Sequence, residues 1–185
     1  RYDGTEARPA VGPRDPAVAE SLASIAEEPY DLGRWWDHAG QVARQLGDDA
    51  APDVLAAMVH TPECPDPDRQ WEWPFQVQVA AALVLARMER RREVLFELAV
   101  GPVDWASTAA LIALGELGRR EERVRPLVTR LFFRLLDVPV CPVRFACWLE
   151  PIVELAERLA HLSAAQKQRL DRLRRELRPA RDDEG

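Results

Sequence analysis

The segment AALIALGELGRREERVRPLV, residues 109–128, contains two apolar stretches separated by a run of charged residues. The first stretch is rich in Ala and Leu and ends at Leu117. Five charged residues occupy positions 119–123, and apolar residues then return at Val124 with the spacing of a helix face. The segment therefore predicts a helix, a short polar turn and a second helix that folds back on the first.

The same order of features occurs in three other parts of the chain. They are residues 42–59, 83–100 and 152–170. In the four segments the first helix is predicted to end at Leu46, Met88, Leu117 and Leu159, which are 42, 29 and 42 residues apart. Helix pairs that repeat at such intervals are typical of an α-solenoid.

This pattern resembles the HEAT-repeat family, and the resemblance covers residues 33–177. The residues that carry it are Ala109, Ala110, Leu111, Ala113, Leu114, Gly115, Leu117 and Gly118. The resemblance implies about four antiparallel helix pairs in a curved scaffold that presents an extended surface to a partner. It implies no catalytic residue.

No stretch alternates strictly between apolar and polar residues, and Val and Ile are sparse beside Ala and Leu, so we expect an all-α protein. We predict a right-handed α-solenoid. The expected helices are 16–28, 33–46, 51–60, 75–89, 91–100, 104–118, 121–137, 143–161 and 163–177.

The helices are expected to form one domain. It would span residues 16–178, behind a flexible lead at 1–15 and before a disordered acidic tail at 179–185. Asp15 and Pro16 suit the N-cap and first turn of the first helix.

The helix expected at 121–137 has the clearest apolar stripe in the chain. Its members are Val124, Leu127, Val128, Leu131, Phe132, Leu135 and Leu136. We expect this stripe to lie at the centre of the core.

Composition and charge favour a soluble, cytoplasmic protein. The 185 residues are 47% hydrophobic and 30% charged, and no apolar run reaches the ~20 residues of a membrane span. Cys64, Cys141 and Cys147 form no even disulfide framework, which suggests a reducing compartment. The formal charge of −6 divides into −9 for residues 1–86 and +3 for residues 87–185. This acidic balance disfavours non-specific nucleic-acid binding.

The segment TPECPDPDRQWEWPF, residues 61–75, differs from its neighbours, and we predict an inserted Pro- and Trp-rich loop at 61–74. If the loop is extended, Trp71 and Trp73 point to the same side. The loop is then either a lid over the core or an anchor for a partner, because Trp is enriched at the energetic centres of interfaces. One of the two rings is expected to stay partly exposed.

The motif WWDHAG, residues 35–40, gives a second candidate. On a helix, Trp35 and Trp36 would point about 100° apart, so one is expected in the core and the other partly exposed. Together with their neighbours Asp37 and His38, they could form a Trp/Asp/His pocket of a helical enzyme. This combination is similar to the use of Trp and Asp in some helical-repeat DNA glycosylases.

The sequence predicts no metal site and no cofactor. His60 with Cys64, Cys141 and Cys147 lacks the paired short spacings of a zinc site. No phosphate-binding loop or nucleophile elbow is present.

Arginines cluster in two of the predicted turns. They are Arg90, Arg91 and Arg92 in one turn and Arg119 and Arg120 in another. Stacked helix pairs would bring these turns together into a basic ridge that could contact phosphates or an acidic protein. Neighbouring glutamates would neutralise part of this charge.

The sequence thus predicts a non-catalytic scaffold or adaptor that binds another protein. The candidate contact residues are Trp35, Trp36, Trp71, Trp73, Arg90, Arg91, Arg92, Arg119 and Arg120. The alternative is a nucleic-acid-binding HEAT-like protein that uses its arginine-rich edge.

Overall fold

The computed structural model describes residues 15–101, 104–137 and 142–177, with side chains throughout except at 142–148. Within these ranges the chain forms nine α-helices, three one-turn 3₁₀ helices and no strand. The α-helices are α1 (Pro16–Glu27), α2 (Leu32–Leu46), α3 (Ala51–Val59), α4 (Trp73–Arg87), α5 (Glu93–Ala99), α6 (Trp105–Arg120), α7 (Arg125–Leu135), α8 (Pro142–Glu157) and α9 (Ala164–Leu177). The prediction of an all-helical fold is confirmed for this part of the chain.

Aspartates set the starts of three helices. The side chains of Asp15, Asp31 and Asp104 accept hydrogen bonds from backbone N–H groups in the first turns of α1, α2 and α6, at 2.8–3.0 Å. These bonds satisfy amides that have no partner inside the helix. The cap that the sequence predicted at Asp15, with Pro16 in the first turn, is present.

The centre of the core is α4. Every residue from Val79 to Ala86 is buried. The helix contacts α1, α2, α3, α5 and α6. Its apolar residues occupy all faces, which is what a helix surrounded by other helices requires.

The prediction that the stripe at 124–136 forms the centre of the core was wrong. Val128 and Phe132 of α7 are buried, but Leu131 is only half-buried and Leu127 is 53% exposed. The helix packs on α6 and α8 at the side of the core. Amphipathic spacing identified the buried face of α7, but a central helix such as α4 has no polar face to detect.

Alternate helices contact one another along the chain. Among the described residues, α2 contacts α4, α4 contacts α6, and α6 contacts α8, whereas α3, α5 and α7 each contact the even-numbered helix that follows. Gly118 allows a close approach at one of these contacts. A methyl group there would lie 3.1 Å from side-chain atoms of Val128 in α7 and Leu159 after α8.

The loop expected at 61–74 is shorter than predicted. A 3₁₀ turn forms at Pro67–Arg69, and α4 begins at Trp73, so Trp73 belongs to the helix and not to the loop. Residues 1–14 of the lead predicted at 1–15 and the whole tail predicted at 179–185 lie outside the described residues, as do Cys141 and the side chain of Cys147.

Across the described ranges, no helix combines the length and the apolar character needed to cross a membrane.

Candidate functional site

An open groove of about 680 Å³ lies where the starts of α2, α4 and α6 meet. We call it the aromatic groove. It is lined by Tyr30, Trp71, Glu72, Phe75, Gln76, Trp105 and Thr108. Four of these seven residues are aromatic, in a chain with only 7% aromatic residues, so the groove concentrates this residue type.

Three of the aromatic rings come from equivalent places in their helices. Tyr30 lies just before α2, Trp71 just before α4, and Trp105 is the first residue of α6. Tyr30 and Trp105 are each 52% exposed, and Trp71 is 88% exposed. The fourth ring, Phe75, packs edge-on against Trp105 with ring centroids 6.2 Å apart. The groove therefore has aromatic walls that are largely open to solvent.

Glu72 is the one charged residue among the described residues that line the groove. The acids at the starts of the neighbouring helices, Asp31 and Asp104, are occupied with capping backbone N–H groups. Glu72 makes no such cap and forms no hydrogen bond or ion pair with side chains in the described ranges. Its carboxylate is exposed at the edge of the aromatic walls.

Burial affects the ionisation of Tyr30. The pKa of its hydroxyl is raised above the ordinary tyrosine value, mainly because the group is partly buried, while the charge of Arg158 opposes this effect. The hydroxyl thus stays neutral at physiological pH and can donate a hydrogen bond to a bound group.

Trp71 and Trp73 lie in different environments, contrary to the prediction that they share one side. Trp73 is buried, and its indole Nε1 donates a hydrogen bond to the backbone oxygen of Pro62 at 2.8 Å. The helix starts between the two residues, so the alternation of an extended strand does not apply. Trp73 holds the loop against the core, and Trp71 is the exposed ring that the sequence led us to expect.

Both Trp35 and Trp36 are buried, so the expectation that one stays partly exposed was wrong. The reason is that long side chains from other helices pack over Trp36. The guanidinium carbons of Arg87 and Arg120 lie 5.0 Å and 5.4 Å from its ring centroid. These are cation–π distances.

The absence of a side chain at Gly40 makes room for Arg87. A methyl group at Gly40 would lie 2.8 Å from Nε and Nη2 of that guanidinium. The Arg87 Nε is itself buried and has no hydrogen-bond partner in the described part of the chain. Because no hydrogen bond holds Nε, the position of the guanidinium depends on its packing against Trp36 and Gly40 of α2.

The WWDH residues do not line a common cavity. Trp35 packs against Tyr30, and the Nδ1 of His38 lies 2.7 Å from Oε1 of Glu28. Asp37 is exposed on α2. Both indoles are covered by neighbouring side chains, so neither presents an open ring face at the surface.

The turns that follow α2, α4 and α6 are adjacent, as stacked helix pairs would place them. Arg90 lies 3.8 Å from Asp48, and Arg92 makes a bidentate pair with Glu121 at 2.7 and 2.8 Å. Arg92 also donates to the backbone oxygen of Ala86. We call the five predicted arginines, Arg90, Arg91, Arg92, Arg119 and Arg120, the arginine edge.

Most of the charge of the arginine edge is neutralised within the chain. Arg119 and Arg120 both pair with Glu116, whose side chain is nearly buried. The hydrogen bond to this carboxylate raises the pKa of Arg119. Arg91 alone of the five is exposed with no ion pair among the described residues.

A second cavity, of about 620 Å³, lies beside α7 and has several charged residues in its lining. Arg125, Arg130, Arg134, Glu122 and Asp137 line it together with His161. Both signs of charge are present, and Asp137 already pairs with Arg169 at 2.6 Å.

No cluster of three or more His, Cys, Asp or Glu side chains suited to a metal ion occurs in the described ranges. The Sγ of Cys64 donates to the backbone oxygen of Asp66 at 2.9 Å.

Sequence reasoning missed Tyr30, Glu72, Phe75 and Trp105 as site residues. A signal for three of them was present, because Tyr30 adjoins Asp31, Glu72 adjoins Trp71 and Trp105 adjoins Asp104, each pair at or just before a predicted helix. Phe75 had no such signal, since its place in the groove depends on the packing of α4 against α6.

Comparison with family models, with curated proteins and with solved structures finds no match to this chain. Proposals about its function therefore rest on its own residues.

Proposed function

We propose that this protein is a non-catalytic helical-repeat scaffold that binds another protein through the aromatic groove. The observation that carries the proposal is the exposure of Tyr30, Trp71 and Trp105 around one depression. Large exposed apolar patches on a folded protein mark interaction sites, and Trp and Tyr are the residues most enriched at their energetic centres.

The free energy gained by burying the exposed aromatic rings is large enough to support binding. A Trp ring buries about 150–250 Å² in an interface, which corresponds to roughly 4–6 kcal/mol of gross hydrophobic stabilisation. Ordering and desolvation costs reduce that value, so a net contribution of about 2–4 kcal/mol from Trp71 is reasonable.

Two features support a HEAT-like α-solenoid as the scaffold. The chain of contacts from α2 through α4 and α6 to α8 is the stacking expected of successive helix pairs. The starts of α2, α4 and α6 share the groove, and the turns that follow them are linked by Arg90–Asp48 and Arg92–Glu121.

Nucleic-acid binding through the arginine edge is the less favoured alternative. Four of its five arginines already face carboxylates within the chain, so few charges remain to release counterions from phosphates.

The test is site-specific photo-crosslinking in the source cell. A benzophenone amino acid at position 71 is expected to crosslink a discrete protein, whereas the same group at Val100 is not. Val100 is a matched control because it is 60% exposed and lies outside the groove. Crosslinks of equal yield and pattern from both positions would contradict the proposal.

A second arm compares the groove with the arginine edge. Trp71→Ala with Trp105→Ala is expected to abolish capture of that protein, and Arg90→Glu with Arg91→Glu to retain it. The reverse result, or capture of nucleic acid that depends on Arg90 and Arg91, would favour the alternative.

A further inference from the structure

The aromatic groove carries a single negative charge that nothing in the described chain neutralises. Among the described residues Glu72 is the only charged one that lines it, and this carboxylate pairs with no side chain there. Arg69, three residues before Glu72 in the sequence, is already engaged: its guanidinium donates to the backbone oxygen of Ala26 and to Oε1 of Gln76 at 2.9 and 2.6 Å. Within the described ranges no side-chain cation pairs with Glu72.

The aromatic walls favour the same kind of ligand. A guanidinium or ammonium group over the face of a Trp or Tyr ring is attracted by the ring quadrupole. With a carboxylate beside the rings, one bound cation would gain a charge-assisted hydrogen bond as well. An anion would instead meet Glu72 and the negative ring faces.

The size of the groove shows that a single side chain would not fill it. Its volume of about 680 Å³ lies within the ~300–1,000 Å³ of typical ligand pockets. Most of its lining residues are in the part of the chain, residues 1–86, that carries a net charge of −9. The surroundings thus attract a positively charged segment over a longer range.

We propose that the groove binds a segment of a partner protein that carries an Arg or Lys side chain next to an apolar one. The basic group contacts Glu72 and the face of Trp71, and the apolar residue packs against the exposed side of the Phe75–Trp105 pair. This inference rests on the proposed function, because it assigns the partner chemistry of the same site.

The experiment is selection of a displayed random dodecapeptide library on the full chain. Parallel selections use Trp71→Ala/Trp105→Ala and, as the charge variant, Glu72→Gln. The Glu72 side chain makes no hydrogen bond or ion pair within the described ranges, and Gln is close to it in size, so this variant is expected to keep the fold. Thermal unfolding of each protein checks that all of them are folded.

The expected result is a set of peptides in which Arg or Lys adjoins an apolar residue. Binding of these peptides is lost with the double tryptophan variant. For one synthetic peptide from the set, Glu72→Gln weakens the affinity by about five- to tenfold at low salt, and by less at high salt. Replacing the basic residue of the peptide with norleucine gives the same loss, and the two changes together cost little more than either alone.

The other outcomes separate the two proposals. Groove-dependent peptides that are acidic or uncharged, or that bind Glu72→Gln equally well, would overturn the basic segment and leave the binding function standing. Enriched peptides that bind the double tryptophan variant unchanged, or no enrichment at all, would contradict the proposed function itself. Sedimentation of a dimer that this double variant converts to a monomer would show that a second copy of the chain occupies the groove.

Discussion

The aromatic groove and the arginine edge both contain residue types that commonly bind partners. Most arginines of the edge already form ion pairs within the chain, whereas the groove exposes aromatic rings and a carboxylate to solvent. At the arginine edge, Asp48, Glu116 and Glu121 meet four of the five guanidinium groups. In the groove, Glu72 pairs with no side chain of the described ranges, and Trp71 is 88% exposed. A side chain is a candidate for binding when its own fold has not already used its bonding capacity.

The same contrast between internal contacts and exposure occurs among the tryptophans. Trp36 and Trp73 are used internally, one beneath two arginines and one through a hydrogen bond to the loop. Trp71 is not used. The predictions below test this division between internal and available side chains.

The largest effect is expected for Trp73. Trp73→Ala removes a buried ring and the hydrogen bond to Pro62, and we expect the free energy of unfolding to fall by about 3–5 kcal/mol. Trp71→Ala, two residues away, should change it by less than about 0.5 kcal/mol. Urea denaturation measures both. If the two variants lose similar free energies of unfolding, the view that Trp73 is a structural ring and Trp71 a free one is wrong.

The next effect concerns the carboxylate that joins two arginines of the edge. Glu116→Gln leaves Arg119 and Arg120 without their shared partner, and we expect a loss of about 1–3 kcal/mol, moderated because both guanidinium groups reach solvent. Glu122→Gln, an exposed acid in the following turn, is the control, with an expected change below about 0.5 kcal/mol. If the two variants are equally stable, the Glu116 pairs contribute nothing to the fold.

Gly40 tests whether Arg87 is fixed by packing. Gly40→Ala places a methyl group against the Arg87 guanidinium and should destabilise the protein by about 1–3 kcal/mol. In an Arg87→Ala background the same substitution should be neutral or stabilising, because Ala is a better helix former than Gly by about 1 kcal/mol. Equal effects in the two backgrounds would show that the guanidinium does not occupy this space.

A smaller contrast is expected between adjacent arginines. Arg92→Ala removes the bidentate pair with Glu121 and the bond to Ala86, and should cost about 1–2 kcal/mol. Arg91→Ala should cost less than about 0.5 kcal/mol. Chemical denaturation measures both. If Arg91→Ala lowers the free energy of unfolding more than Arg92→Ala, the view that Arg91 has no stabilising contact in the fold is wrong.

The smallest effect is a pH dependence at Asp31. The backbone N–H of Arg34 holds the pKa of this carboxyl below the ordinary Asp value. A lowered folded-state pKa means that the ionised group stabilises the fold at neutral pH. That contribution is lost as the pH falls through the folded-state pKa. Between about pH 6 and pH 3, Asp31→Asn should therefore lose slightly less stability in urea than the unchanged chain; an identical loss would contradict this contribution.

Much of the fold was predictable because the relevant signals are local. The Asp15 cap, the Ala- and Leu-rich first helix at 109–117 and the charged turn after it each depend on residues within a few positions of one another. In the segment 83–100, the first helix was predicted to end at Met88, one residue from the observed end of α4 at Arg87. Helix starts were less certain, since α4 begins inside the segment that its prolines and acids marked as a loop.

The sequence by itself determined the all-helical class, the order of the helices and the polar turns between them, because hydrophobic periodicity, capping and turn chemistry act over a few residues. Only the tertiary structure decided which aromatic rings are covered and which arginines are paired. Trp36 lies beneath side chains 51 and 84 residues further along the chain, at Arg87 and Arg120, and Tyr30 reaches the groove beside Trp105. The burial of a ring or the pairing of a charge is a property of the neighbours that packing brings together, and local patterns do not specify those neighbours.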